Sequence, residues 1–287
     1  VAHTFVATGA ASVHCGAHPV LSGVGPDHNM DADLIERAIT PKTKALLPVH
    51  LNGRVCEMDR MLAIADRHGL AVVEDAAQAL GATYDGRRAG SQGLAGCFSF
   101  YPFKVLGGFG DGGAITTNDP DLARMATRSR YNGEDRETGE YHCHGQTALL
   151  DNVQAAVLDV KLRHLPAWIA HRRRISELYR QGLSGIRELR LPHFDQTRHH
   201  DIYQNYVIRT DVRDRLRAYL KEQGIETLVH WAKPMWEHRG LGLVTPSVPE
   251  TAALCREVLS LPMSAETTDD HVAITVACLQ SFFSKRP

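Results

Sequence analysis

The run Leu70–Glu74 (LAVVE) constrains the fold more than any other stretch, because its apolar residues are unbroken and end in an acid. A strand with one wet face alternates apolar and polar side chains; a continuous run reads as a strand buried on both faces. The surrounding residues supply the cover. Lys44–His50 (KALLPVH) reads as a strand, and Met58–His68 as a helix stopped by Gly69. Gly96–Tyr101 (GCFSFY) reads as a second buried strand and Ala114–Thr117 as a third; Asp119 opens a helix towards Tyr131. Tyr84-Asp85-Gly86-Arg87 carries a D-G turn signal. This alternation predicts an α/β fold, a mostly parallel sheet with helices on both faces. In such sheets the ligand site gathers at the carboxyl ends of the strands.

Leu149–Leu183 reads as a long helical stretch that Pro166 kinks or splits, bridging two domains. Beyond it the rhythm changes: Ile202–Arg209 and Ile225–Trp231 are strand-like, Val212–Gln223 and Asp269–Phe283 helical. The expected division is a large domain over 1–183 and a smaller C-terminal α+β domain over 184–287.

A formal net charge of -1 offers no field to attract a polyanion or an anionic membrane, so nucleic-acid and membrane partners are not expected. Six cysteines lie scattered, none in a CxxC pair, so neither a zinc site nor a dithiol centre is indicated, and a reducing, cytoplasmic setting follows. His199 and His200 are adjacent, which sends their side chains different ways, and no HExxH spacing occurs; no metal site is expected.

Chemistry concentrates in Glu74-Asp75-Ala76-Ala77-Gln78, in Phe98–Lys104 (FSFYPFK) and in Gly107–Gly113 (GGFGDGG). A lysine in a glycine-rich loop is ordinarily a solvated surface charge. Lys104, however, follows a buried aromatic strand, and glycines let backbone approach a ligand closely. A lysine held there and partly desolvated loses its proton and attacks an aldehyde. Pyridoxal phosphate is the cofactor that uses such a lysine. Asp75, after a buried strand, is either a helix cap or the partner of that cofactor's pyridine nitrogen, keeping the ring able to accept electrons. Ser99 is either an ordinary strand serine or a donor to the cofactor phosphate. Gln78 is either a plain helix residue or a neighbour of the cofactor ring.

EDAAQALGATYDGRRAGS, CFSFYPFKVLGGFGDGGAITTND and LLDNVQAAVLDVKLRHLPAW together closely resemble the DegT/DnrJ/EryC1/StrS aminotransferase family, as do HTFVAT and ITPKTKALLPVHLNG. The resemblance implies fold type I of the pyridoxal-phosphate enzymes, a homodimer with shared active sites, and transfer of an amino group from glutamate or glutamine to a nucleotide-activated keto-sugar by ping-pong kinetics. It implies that Lys104 forms the internal Schiff base, that Asp75 pairs with the pyridinium nitrogen and that Ser99 binds the phosphate. Phe5 would stack on the ring with Thr4 beside it, and Gln78 would line the pocket. Tyr101 and His230 are candidate substrate contacts.

Departures from the family pattern bear on substrate identity. Where relatives commonly read Asn-Ser-Arg, this chain has Thr147-Ala148-Leu149, so Thr147 would take the place of an asparagine that reaches a cofactor phosphate across the dimer. A keto-cyclitol acceptor and a non-catalytic regulatory homologue are the competing expectations. The abrupt opening at Val1 reads as a missing N-terminal segment, including a phosphate-binding helix start, with weaker cofactor binding expected of this stretch alone.

Overall fold

The computed structural model describes residues 1–284. The elements run α1 (Val6–His14), α2 (Ala32–Ala38), β1 (Ala45–Leu46), α3 (Met58–His68), β2 (Ala71–Asp75), β3 (Thr83–Tyr84), β4 (Arg87–Arg88), β5 (Ala95–Ser99), β6 (Gly113–Thr116) and α4 (Pro120–Ser129). They continue α5 (Asn152–Leu162), α6 (Leu165–Leu183), β7 (His199–His200), β8 (Tyr206–Arg209), α7 (Arg213–Glu222), α8 (Pro249–Glu257), β9 (Val258–Leu261) and α9 (Asp269–Ser284).

The principal sheet has the order β1-β2-β5-β6. Its first two pairings are parallel and the last, β5 with β6, is antiparallel. Val72, on β2, packs in one core with Met58, Met61 and Ile64 of α3 and with Leu158, Leu165 and Ile169 from α5 and α6. A second core joins Ile175, Tyr179 and Leu183 of α6 to Ile208, Leu216, Leu259 and Leu279, around the antiparallel pair β8–β9. One helix therefore serves both cores: the first turns of α6 face the parallel sheet and its last turns face β8. The helical stretch expected over 149–183 is split at Arg163-His164, and Pro166 stands in the first turn of α6, where its missing N–H costs nothing.

Several local expectations are corrected. The strand over Lys44–His50 contracts to Ala45–Leu46, because Pro48 has no N–H to give a ladder; Val49 makes a single bridge to Asp75. Ile202–Arg209 is a strand only from Tyr206, since Tyr203 sits at φ 51 and breaks the extended backbone. Ile225–Trp231 forms no strand: Leu228 alone bridges to Ser260, and Trp231 has φ 52. The D-G turn is a tight hairpin, with Asp85 and Gly86 at φ 48 and φ 73 between β3 and β4.

Among the described residues no helix is long and apolar enough to cross a membrane.

Candidate active site

Strand β2 delivers two acids to opposite faces, as alternation requires. Glu74 is fully buried. Its two oxygens accept from His50 Nε2 (2.8 Å) and from the backbone N–H groups of Gly90 (2.8 Å), Gln92 (2.6 Å) and Gly93 (2.6 Å). The Cys56 N–H donates to His50 Nδ1 at 3.2 Å, so the imidazole proton sits on Nε2 and points at Glu74. Glu74 thus ties the loop before β5 to β2. A Cβ on Gly96 would collide with the Gly90 backbone, which shows how closely that loop is drawn in.

Asp75 closes β2 on the other face. Its backbone is held from both sides, N–H to Pro48 O at 2.8 Å and C=O from His50 N at 3.0 Å. Its side chain accepts from Thr8 Oγ1 at 2.6 Å and from Ala77 N at 3.1 Å. No helix opens after it; residues 76–82 form turns, so Asp75 is not a helix cap. Gln78, in those turns, accepts from the Asn52 N–H at 2.7 Å.

Ser99 ends β5, and its Oγ accepts from the Tyr101 N–H at 3.2 Å. The chain then turns, the Lys104 N–H donating to Tyr101 O at 2.8 Å. The glycines that follow fold back across the strand end: Gly108 N donates to Phe100 O (2.7 Å) and Phe100 N to Gly112 O (2.8 Å). Gln154 of α5 holds this loop by accepting from Phe109 N at 2.8 Å. A Cβ on Gly107 would strike the Pro102 backbone, so this return needs glycine.

Lys104 is half-buried, and burial lowers its pKa below the ordinary lysine value while the negative charge of Asp75 opposes that shift. His230, whose Nδ1 lies 2.7 Å from Ser260 Oγ, is lowered by burial and then by the positive charge of Lys104. Lys104, Asp75 and His230 therefore stand within one electrostatic neighbourhood at the carboxyl ends of β2 and β5. Beside it, a groove of about 760 Å³ runs from Asn205 and His230 past Ser260 and Met263 to His271, over the second core.

The other sequence-derived candidates spread outward from this group. Phe5 precedes α1 and is 60% exposed, whereas Thr4 is buried. Tyr101 is half-exposed, its ring set edge-on to Phe103 at 5.7 Å. Thr147 is exposed and donates to Asn132 Oδ1 at 3.1 Å. Thr8 was not among the candidates, although it lies in the same HTFVAT segment as Thr4 and Phe5, in the first turn of α1.

The profile of the DegT/DnrJ/EryC1/StrS aminotransferase family matches residues 1–280. The chain is 42% identical over 281 residues to the erythromycin biosynthesis sensory transduction protein EryC1 of Saccharopolyspora erythraea, covering 96% of this chain and 76% of that protein. It is also 42% identical over 265 residues to the dTDP-3-amino-3,4,6-trideoxy-alpha-D-glucose transaminase of Streptomyces venezuelae, covering 91% and 69%. The crystal structure of S. venezuelae DesV in complex with a ketimine intermediate superposes with a TM-score of 0.95 at 39% identity, covering 99% of this chain and 77% of that one. That likeness carries the expected fold type I architecture. With a family match from its first residue to its last long helix, the chain belongs to the DegT/DnrJ/EryC1/StrS aminotransferase family.

Proposed function

We propose that this aminotransferase uses pyridoxal 5'-phosphate to move an amino group from glutamate or glutamine to a nucleotide-activated keto-sugar. The observation that carries the reading is a partly desolvated amine, Lys104, that feels the charge of an oriented carboxylate, Asp75, with both residues at the carboxyl ends of neighbouring parallel strands. The donor set fits the cofactor. It needs an amine able to be neutral, a carboxylate for its ring nitrogen and a hydroxyl for its phosphate, and Lys104, Asp75 and Ser99 supply these types. The names of relatives such as the S. venezuelae transaminase favour a nucleotide sugar as acceptor.

When bound, the cofactor supplies an aldehyde that carries the amino group and a protonated ring that stores electrons. Asp75, fixed by Thr8 and Ala77, keeps the ring nitrogen protonated. Lys104, kept below the ordinary lysine range by burial, would hold the cofactor at its aldehyde carbon; once freed, its amine would take the proton from the donor's α-carbon as base and deliver it to the cofactor's former aldehyde carbon as acid. Ser99 donates to the phosphate, and Gln78 and Phe5 bound the ring. His230 and Tyr101 face the sugar.

The exposed rings of Phe103 (80%) and Phe109 (78%) flank this loop, too much apolar surface to leave in water beside a reactive amine. We assign them to a homodimer face, with Thr147 reaching the partner's site. The free cysteines accord with a cytoplasmic setting.

The test loads purified protein with cofactor and glutamate, then offers dTDP- and UDP-keto-sugars beside a keto-cyclitol. Amination of a nucleotide sugar, abolished in Lys104→Ala, is the expected result. Amination of the cyclitol alone replaces the acceptor. Turnover that survives Lys104→Ala removes the reading altogether.

A further inference from the structure

The segment 202–205 bonds both to the lysine loop and to Asn52, the partner of Gln78. Its backbone is fixed on each side. The Ile202 N–H donates to Gly53 O at 3.0 Å. Gly53 has φ 89, and a Cβ there would lie 2.7 Å from Ile202 Cγ1 and 2.9 Å from the backbone nitrogens of Tyr203 and Gln204. From α6, the buried Arg172 donates through Nη1 to the carbonyls of Tyr203 (3.0 Å) and Gln204 (3.3 Å).

From this fixed backbone the Gln204 side chain reaches the lysine loop. Its Oε1 accepts from Val105 N at 2.9 Å, and its Nε2 donates to Phe103 O at 2.8 Å. One carboxamide thus brackets Lys104 on both sides. Within one protomer the Phe103 ring is mostly exposed, so there these backbone bonds carry the placement. The next residue reaches the Gln78 side: Asn205 Nδ2 donates to Asn52 Oδ1 at 3.1 Å, and Asn52 N–H donates to Gln78 Oε1.

We propose that Gln204 is the positioning residue for Lys104, its carboxamide holding residues 103–105 so that the amine faces Asp75 instead of solvent. Gln204 touches no reacting atom. An amide suits the task because one planar group donates and accepts together; glutamate only accepts, and methionine of similar length does neither. This proposal rests on the reading of Lys104 as the cofactor lysine.

The experiment compares Gln204→Met, Gln204→Asn and Gln204→His, the last keeping one donor and one acceptor. Competitive acetic anhydride labelling of cofactor-free protein across pH, read on the Lys104 peptide, reports the ionisation of the amine. Asp75 and His230 are unaltered throughout. In Gln204→Met the midpoint rises towards the ordinary lysine value as the loop opens to water, burial being the larger influence on the amine. In the loaded enzyme kcat falls about 10- to 100-fold while KM for the donor stays within about twofold, as displacement of a reacting group predicts. Gln204→His restores most of both. An unchanged midpoint in Gln204→Met overturns the proposal, whatever happens to thermal stability. Should that variant not fold, Gln204→Asn, neutral and too short to reach both Phe103 O and Val105 N, decides in the same way. A midpoint that moves while turnover persists in Lys104→Ala leaves the positioning intact and removes the role given to Lys104.

Discussion

Thr8 and Asp75, 67 residues apart in the chain, are joined by a 2.6 Å hydrogen bond in which the threonine hydroxyl donates to Oδ2. With Ala77 N on the other oxygen, it leaves the carboxylate one orientation. A hydrogen bond to a charged group contributes about 1.5–3 kcal/mol.

Thr8→Val keeps the shape of the side chain and removes the donor. If Asp75 partners the ring nitrogen, a loss of about 1.4 kcal/mol in the proton-transfer step slows the donor half-reaction about tenfold. Thr8→Ser restores it. Stopped-flow absorbance with glutamate measures both rates, and a Thr8→Val rate equal to that of the parent removes Thr8 from the site.

The parts of the fold legible in the sequence are those whose causes are local. Met58–His68 is a helix because its apolar residues recur at helical spacing, and Gly69 stops it at φ 63, a left-handed position that glycine takes without strain. The Asp85-Gly86 hairpin is equally local, and so is Pro166, which opens α6 just after the break at Arg163-His164. Lys104 and Asp75 could be singled out because each closes or follows a buried strand. Gln204 could not: its partner Val105 is 99 residues away and nothing in DIYQNY signals it. Ile225–Trp231 misleads for a related reason. Its β-branched and aromatic residues fit a strand, but tertiary context grants it one bridge, at Leu228.

Glu74 illustrates how a site is supported from behind. Gln in its place keeps one oxygen and turns an NH₂ towards two of the four donors, leaving them unsatisfied in a fully buried position. Glu74→Gln is expected to cost about 3 kcal/mol, lowering the thermal midpoint by about 6–12 °C. Burial alone would raise the pKa of Glu74, but the His50 bond and the loop N–H groups outweigh it and hold it below the usual value. A depressed carboxylate stabilises at neutral pH, and its contribution fades only as pH falls through the folded value. The penalty of Glu74→Gln, measured by calorimetry, therefore shrinks in acid; a penalty constant with pH contradicts the assignment.

His3 and His28 act in the opposite sense, as buried neutral rings that resist protonation. Burial lowers His28 to about 4, with the positive charge of Arg209 adding to it and Asp27 opposing. Burial, with His28 next, lowers His3 to about 3. The His3 ring lies edge-on to Trp231 at 5.4 Å, an apolar contact that gives no return for a charge. In the unfolded chain both would take a proton near pH 6.5, so the unfolded state binds more protons below that pH and stability falls as pH falls. At about pH 5 each ring costs on the order of 2 kcal/mol. His28 stands at φ 71, a conformation that asparagine accepts more readily than most residues. His28→Asn therefore removes one titrating ring without new backbone strain. Its thermal midpoint should lie close to that of the parent at about pH 7.5 and fall less steeply towards about pH 5. Parallel slopes for the two proteins would show that the acid sensitivity lies elsewhere.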